Sequence, residues 1–573
     1  MRFLSLLAIV VACSSPNSDD VTKDEARMVG GGADLGLDYC ADFGWYGDGI
    51  CDDFCPMTDV DDCGVESIDG DGPTLCVGLR GNGTHIPGHF GSMARIFETY
   101  GLVDAVAGGS SGSISSFFIE SIEMNPFVQC DGCTAHQAGL RAALLVKGID
   151  QYFAVLGMTD EATSIQSLAA VAGAVQEAGI ESLLESDPSA AVAQLETVLQ
   201  SDELRAFINP EVLELLMTSP DPAYHARDLV TTLMSFGSFA ADDPLILVRP
   251  GVISFEVVAD RMGRIGSFLA AYEPVDAARM ERFLAECSEG AVGRRWAEIA
   301  GDSLGDTTCG ELLNGMIVDY RDAREAGSFP SRIDDMVGDV LPAFISTSVL
   351  ERGAVDAWRA ARDQYLAAQD VTLDVDFADV RFGYWGSDED LALLDANARA
   401  FSDDKTERAR LLGEATWREV LSFSPAEPGL ARALQLPRST VVGPQVSAGG
   451  WSDLAPVLAL KNLGCQKVIY VTRRGPESNF ARGVAMLLGM SASDDAALYD
   501  LANPQSGYSI SVDEADAVWC TDWNALPASD PAAIWNDGYD AEVESLDPLF
   551  LEGSYANVRT ALGQPGCTPG VAP

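Results

Sequence analysis

VDAVAGGSSGS, Val103 to Ser113, decides how this chain is read. A short apolar run there ends in Gly108-Gly109-Ser110-Ser111-Gly112, a match to GxSxG. A serine flanked by glycines after a short strand can occupy a sharp strand-to-helix turn that exposes its hydroxyl. The residues beyond it, Ser111 to about Met124, predict a helix whose N-terminal amides point at whatever the serine attacks. Upstream lies GNGTHIPGHFGSM, Gly81 to Met93, whose glycines would bare further amides to hold an oxyanion. The pair predicts a nucleophile, Ser110, and an oxyanion loop, Gly81, Asn82, Gly83 and Thr84, on neighbouring strands. Gly91 reads as a later turn of the same glycine-rich segment.

The histidines narrow the chemistry. The chain holds four: His85, His89, His136 and His225. An α/β-hydrolase triad runs Ser, then Asp or Glu, then a late His, and nothing after His225 can supply that histidine. His136 and His225 fall in amphipathic helical stretches, where a histidine belongs to a surface or a helix contact. The sequence therefore argues against a Ser-His-Asp triad and for a serine activated without histidine.

On these residues the chain resembles the patatin-like phospholipases, whose serine is activated by an aspartate alone. That family places a glycine-rich oxyanion loop before GxSxG and its aspartate far downstream in a DGG or DGA turn. Here Gly81-Asn82-Gly83-Thr84-His85 lies on the loop, and Gly91 on its later glycine. Asn82, His85 and Ile86 depart from the family pattern. Leu341 to Thr347 looks like the family's central strand, and GGWSDLAPVLALKNLGCQKVIYVTRRG like its closing turn, helix and strand, with Pro456 on the proline that follows the turn. The resemblance implies an α/β fold: a patatin-like core sheet flanked by helices, with a large helical insertion. It also implies lipid or acyl-ester substrates and no required cofactor.

The DGG position reads Ala448-Gly449-Gly450, and alanine cannot accept a proton. Three readings stay open. Asp453, in the same turn, could serve as a displaced base, or instead cap the following helix. The fold could be non-catalytic and bind lipid or a protein partner. Or a weak hydrolase could persist on its oxyanion hole with an ordered water or His85, since loss of one catalytic partner commonly costs on the order of 10⁴-fold. Asp537, in Asn536-Asp537-Gly538, reads as a surface turn.

The N-terminus adds a location. Arg2 and the apolar run Phe3 to Val11 form a short export signal, and Val10-Val11-Ala12-Cys13 resembles a bacterial lipobox. Lipidation of Cys13 would tether the chain to the cell envelope, at the outer membrane or cell surface. Without Cys13 the cysteine count is even, the pattern of an exported, disulfide-bonded chain. Cys40, Cys51, Cys55 and Cys63 crowd into one acidic segment too small for a core, so a local disulfide module is expected. It faintly resembles the calcium-binding modules of Notch-type receptors. Asp48, Asp52, Asp59 and Asp61 are its candidate Ca²⁺ ligands, against a metal-free acidic knob. Cys130 and Cys133 read as a structural loop disulfide.

The net charge of −51 excludes nucleic acid as a partner. With 47% hydrophobic residues the chain folds, and its acidity must lie mostly on the surface. The expected organisation is a signal peptide, 1–12; a tether, 13–36; the Cys/Asp-rich module, 37–66; a first core part, 74–126; a helical insertion or cap, 127–335; a second core part, 336–545; and a tail, 546–573. Within the insertion, Pro244 to Arg261 reads as a β-rich interruption. Core strands are expected at Ala343 to Ser348, Leu373 to Phe382 and Val468 to Thr472.

Overall fold

The computed structural model describes residues 73–81, 83–130, 133, 135–149, 254–272, 329–350, 380–396, 409–426, 434–435, 445–447, 456–473, 515–521, 530–540 and 542–545, with scattered positions between 190 and 360. The chain divides after Gly72, and every described residue belongs to the second unit, Pro73–Pro573.

In chain order the unit opens with β1 (Leu75–Leu79), a 3-10 turn (Gly83–His85) and α1 (Pro87–Tyr100). There follow β2 (Ala105–Gly109), α2 (Ser111–Glu123), α3 (Ala135–Lys147) and α4 (Phe255–Ala271). The sheet resumes with β3 (Ala343–Leu350), β4 (Val380–Trp385), α5 (Asp388–Ala396), β5 (Ala409–Gly413) and α6 (Trp417–Phe423). The remainder is β6 (Leu434–Gln435), β7 (Gln445–Ser447), α7 (Val457–Leu463), β8 (Lys467–Arg473), β9 (Ala517–Thr521), α8 (Pro531–Asp540) and β10 (Glu542–Ser545).

Among the described residues the strands form one sheet in the order β10-β9-β8-β1-β2-β3-β4-β5, with β6 and β7 attached beside β3. β9, β8, β1, β2 and β3 are mutually parallel. β10 is antiparallel at one edge, while β4 turns antiparallel to β3 and carries β5 parallel to itself. The fold is α/β, with a mostly parallel sheet covered on both faces, as parallel strands require. Side-chain alternation assigns the faces. Leu75, Val77, Leu79, Ile469 and Val471 join one core with α1 to α4, α6 and α8. Cys76, Val468 and Tyr470 join the other with α5 and α7.

Local sequence sets the helix boundaries. Pro87 starts α1, where a missing N–H costs nothing. Thr416 and Glu419 form a capping box on α6. Gly464, at φ 98°, ends α7 in the left-handed conformation that glycine adopts freely. Two disulfides lie among the described residues. Cys76–Cys465 joins β1 to the residues leading into β8, across a sequence separation of 389, and Cys130–Cys133 closes the loop after α2.

Several expectations change. Ser254 to Arg261 is helical rather than β-rich: the Ser254 hydroxyl caps α4, and α4 then packs its apolar side on α2 and α6. The described helices of the expected insertion, α3 and α4, belong to the layer covering the sheet, with Asn125 Nδ2 donating to the Leu269 and Tyr272 carbonyls of the α4 end. Residue 380 is the first described residue of the strand expected from Leu373, and that strand runs on to Trp385. β8 does not close the sheet, because β9 and β10 extend it. Asp537 lies inside α8, not in a turn.

Candidate active site

Ser110 stands between the last residue of β2 and the first of α2. Its φ of 55° and ψ of −126° make it the single positive-φ residue other than glycine among the described residues. Such a conformation costs roughly 1–3 kcal/mol and persists only where its surroundings over-determine it. Here they do. The Ser110 N–H donates to Ser424 Oγ at 3.0 Å, and the Ser110 carbonyl accepts from the Ser113 N–H at 3.0 Å and the Ser113 hydroxyl at 2.6 Å.

The flanking glycines are steric necessities. A β-carbon on Gly112 would sit 2.5 Å from the Leu79 carbonyl oxygen, and one on Gly108 would sit 2.6 Å from the Gly112 backbone. The start of α2 thus lies directly against the end of β1. This is the strand–turn–helix geometry in which a serine hydroxyl stands at the sheet's C-terminal edge, beside the N-terminus of the following helix.

The loop that follows β1 reaches the same edge. Gly83 takes φ 55° and opens the 3-10 turn that carries Thr84 and His85. Gly81 precedes it, and Asn82 lies outside the described residues. Gly91 does not belong to this loop. It lies within α1, where a β-carbon would sit 2.0 Å from the Trp535 carbonyl oxygen of α8. Its task is close helix packing.

The register of β3 shows what comes from downstream. β2 pairs with the first half of β3, ending at Gly109 opposite Ser346. Where β2 turns away into α2, β7 takes over the pairing, antiparallel, with Ser447 opposite Ser348. β4 holds the other side of β3, so β7 occupies the lane that β2 vacates and runs toward Ser110. The residues immediately after Ser447, including Ala448, Gly449, Gly450 and Asp453, lie outside the described residues. So do Cys13 and the carboxylates Asp48, Asp52, Asp59 and Asp61.

The Ser110 backbone is thus held by the hydroxyls of Ser424 and Ser113 and by the Ser113 amide. His89 is buried, and its Nδ1 lies 2.9 Å from Ser115 Oγ on α2, not at Ser110. Burial pushes its imidazole down to about 3, so it is neutral at ordinary pH. Two acids are buried on α2. Burial pushes Glu120 up to about 7 despite the Arg332 guanidinium 3.0 Å away. Burial likewise raises Glu123 to about 8, opposed by the Val103 N–H that donates to it at 2.8 Å. Both sit far down the helix from Ser110, on the order of 15 Å or more at 1.5 Å per residue, out of reach of its hydroxyl. They anchor the helix to β3's approach and to the β2 entry.

Ser424 was not legible as part of this site. It lies on the C-terminal turn of α6 in an unremarkable Ser-Phe-Ser-Pro run, and only the tertiary fold brings it to Ser110. No protein-family model, curated protein or solved structure matches this chain.

Proposed function

We propose that this chain is a serine acyl hydrolase of the patatin-like kind, acting on lipid or acyl esters at a bacterial envelope to which Cys13 anchors it. The observation that supports it most is the Ser110 turn: a strained serine, two glycines that nothing larger can replace, and a glycine-bearing loop at the same sheet edge. Strain held by surrounding structure clusters at sites that act. In this reading Ser110 attacks the ester carbonyl, the first-turn amides of α2 and the backbone of Gly81 to Thr84 hold the oxyanion, and water releases the acyl group.

The course of β7 favours a particular arrangement of the base. β7 runs antiparallel to β3 toward the end of β2, and its last residue, Ser447, directly precedes Ala448; this supports a base drawn from the residues that follow it. With alanine there, Asp453 either supplies the base or the site is crippled and serves to bind rather than cleave.

Labelling of purified protein with a fluorophosphonate, together with cleavage of short- and long-chain acyl esters, separates these readings. Wild type should label, and Ser110→Ala should not. Collapse of ester cleavage in Asp453→Asn would assign the base to that residue. A gain of cleavage in Ala448→Asp, with little loss in Asp453→Asn, would identify a crippled site. Absence of labelling in both wild type and Ala448→Asp would sink the hydrolase and leave the binding protein.

A further inference from the structure

We infer that Ser424 is a positioning residue that creates the Ser110 turn by acting as a spacer between two strands; its bearing on catalysis rests on the hydrolase reading above. The argument starts with the β2–β3 ladder. The Val106 N–H donates to the Pro342 carbonyl, and the parallel register carries Gly109 opposite Ser346. Parallel ladder bonds recur every second residue, so the Ser110 N–H would ordinarily meet the Ser346 carbonyl. It does not. The Ser424 hydroxyl stands between them, accepting from the Ser110 N–H at 3.0 Å and donating to the Ser346 carbonyl at 2.9 Å.

One hydroxyl has thus been inserted into the ladder at the point where β2 must leave the sheet. It keeps both backbone groups satisfied in a dry site while holding them apart by the width of an oxygen. Ser424, Ser346 and Ser110 are all buried, with Ser424 and Ser346 at 0% exposure, so the pair of bonds is shielded from bulk solvent. The spacer is itself fixed, because the Ser424 N–H donates to Val420 within the last turn of α6. α6 is in turn tied to the segment before β3 by the Trp417 N–H to the Asp335 carbonyl and the Arg418 N–H to the Ile333 carbonyl.

Removing the hydroxyl leaves two outcomes for the backbone. Either the direct ladder bond forms and draws Ser110 toward an ordinary strand conformation, or the Ser110 N–H loses this acceptor and the turn loosens. Both move the Ser110 hydroxyl away from the amides that would serve it.

The test compares full-length wild type, Ser424→Ala and Ser424→Thr. Fluorophosphonate labelling rates are measured beside hydrogen exchange of peptides covering 108–113, with peptides of β1 as an internal reference for global opening. Ser424→Ala should label roughly ten- to hundredfold more slowly and show altered exchange at 108–113 with β1 unchanged. Ser424→Thr, which keeps the hydroxyl, should restore both. Wild-type labelling and exchange in Ser424→Ala would overturn the inference, as would a uniform rise in exchange that includes β1, which marks mere destabilisation. If neither wild type nor Ala448→Asp labels, the hydrolase reading falls, and the spacer role still stands or falls on the exchange at 108–113.

Discussion

Ser110 keeps a conformation that its side chain disfavours, and that is measurable without any substrate. Glycine reaches φ 55° and ψ −126° without a β-carbon penalty. Ser110→Gly should therefore raise thermal stability by about 1 kcal/mol, net of the larger entropy glycine loses on folding, while ending fluorophosphonate labelling. Gly112→Ala is the opposite probe: its β-carbon 2.5 Å from the Leu79 carbonyl must push α2 off β1, at a cost of about 2–4 kcal/mol. Thermal unfolding of the two variants beside wild type checks both signs. Stabilisation by the second, or destabilisation by the first, would mean that the turn is not strained as described. At this scale the sequence was informative wherever chemistry and backbone need coincide, because GxSxG names both the serine and its obligatory glycines. It was silent on Ser424, since a serine at the end of a helix carries no mark of the strand it will meet 314 residues away.

Among the elements, the α1–α8 contact shows how a glycine can mislead. Gly91 sits in a glycine-rich segment and reads as a loop residue, yet it lets two helix backbones touch, with Gly538 fitting against the Gly88 carbonyl in the same contact. The Ser92 hydroxyl and the Trp519 indole N–H both donate to the Gly538 carbonyl and seal the contact. Gly91→Ala should cost more than about 2 kcal/mol, because its new atom meets backbone rather than a side chain that could swing aside. Labelling per folded molecule should be kept, as α8 takes no part in the Ser110 turn. Denaturant unfolding with active-site titration checks this, and loss of labelling at full stability would return Gly91 to the site. Periodicity served well for α2, β1 and β8, because their extent is set by a simple local alternation of apolar positions rather than by which element they meet. It failed at Ser254 to Arg261, where an apolar run of mixed β-branched residues fits either state, and burial against α2 and α6 decides for helix.

For the whole molecule, acidity is the dominant fact, and buried acids feel it most. With a net charge of −51, a carboxyl held in the core is penalised by burial and by its neighbours alike. Glu123 is raised to about 8 from 4.5 by burial first, with Asp104 and Glu120 adding to the rise. The sign follows from proton counts: below pH 4.5 both folded and unfolded chains hold the proton, and between 4.5 and 8 only the folded chain does. Stability therefore falls as pH rises through that window and levels off above it. Glu123→Gln keeps an acceptor for the Val103 N–H and has no proton to lose. Its unfolding free energy minus that of wild type, from denaturant titrations, should grow from pH 5 to 8, reaching on the order of a kcal/mol or more. A difference that stays flat across the range would show that Glu123 is not held protonated. The α/β class was legible from sequence at this scale, whereas the strands beyond β8 were not, because nothing local tells β9 and β10 which edge to extend. That sheet order also bears on how the protein is made. β1 sits at the centre of the parallel sheet, yet its neighbour β8 is synthesised much later in the chain, after β2 to β7. Until then one side of β1 presents an unpaired backbone edge, and Cys76 must pass over Cys130, Cys133, Cys287 and Cys309 before Cys465 arrives. A ribosome that stalls or a chain cut short before Lys467 thus releases a half-sheet with an open, apolar centre, the kind of edge on which chains stack.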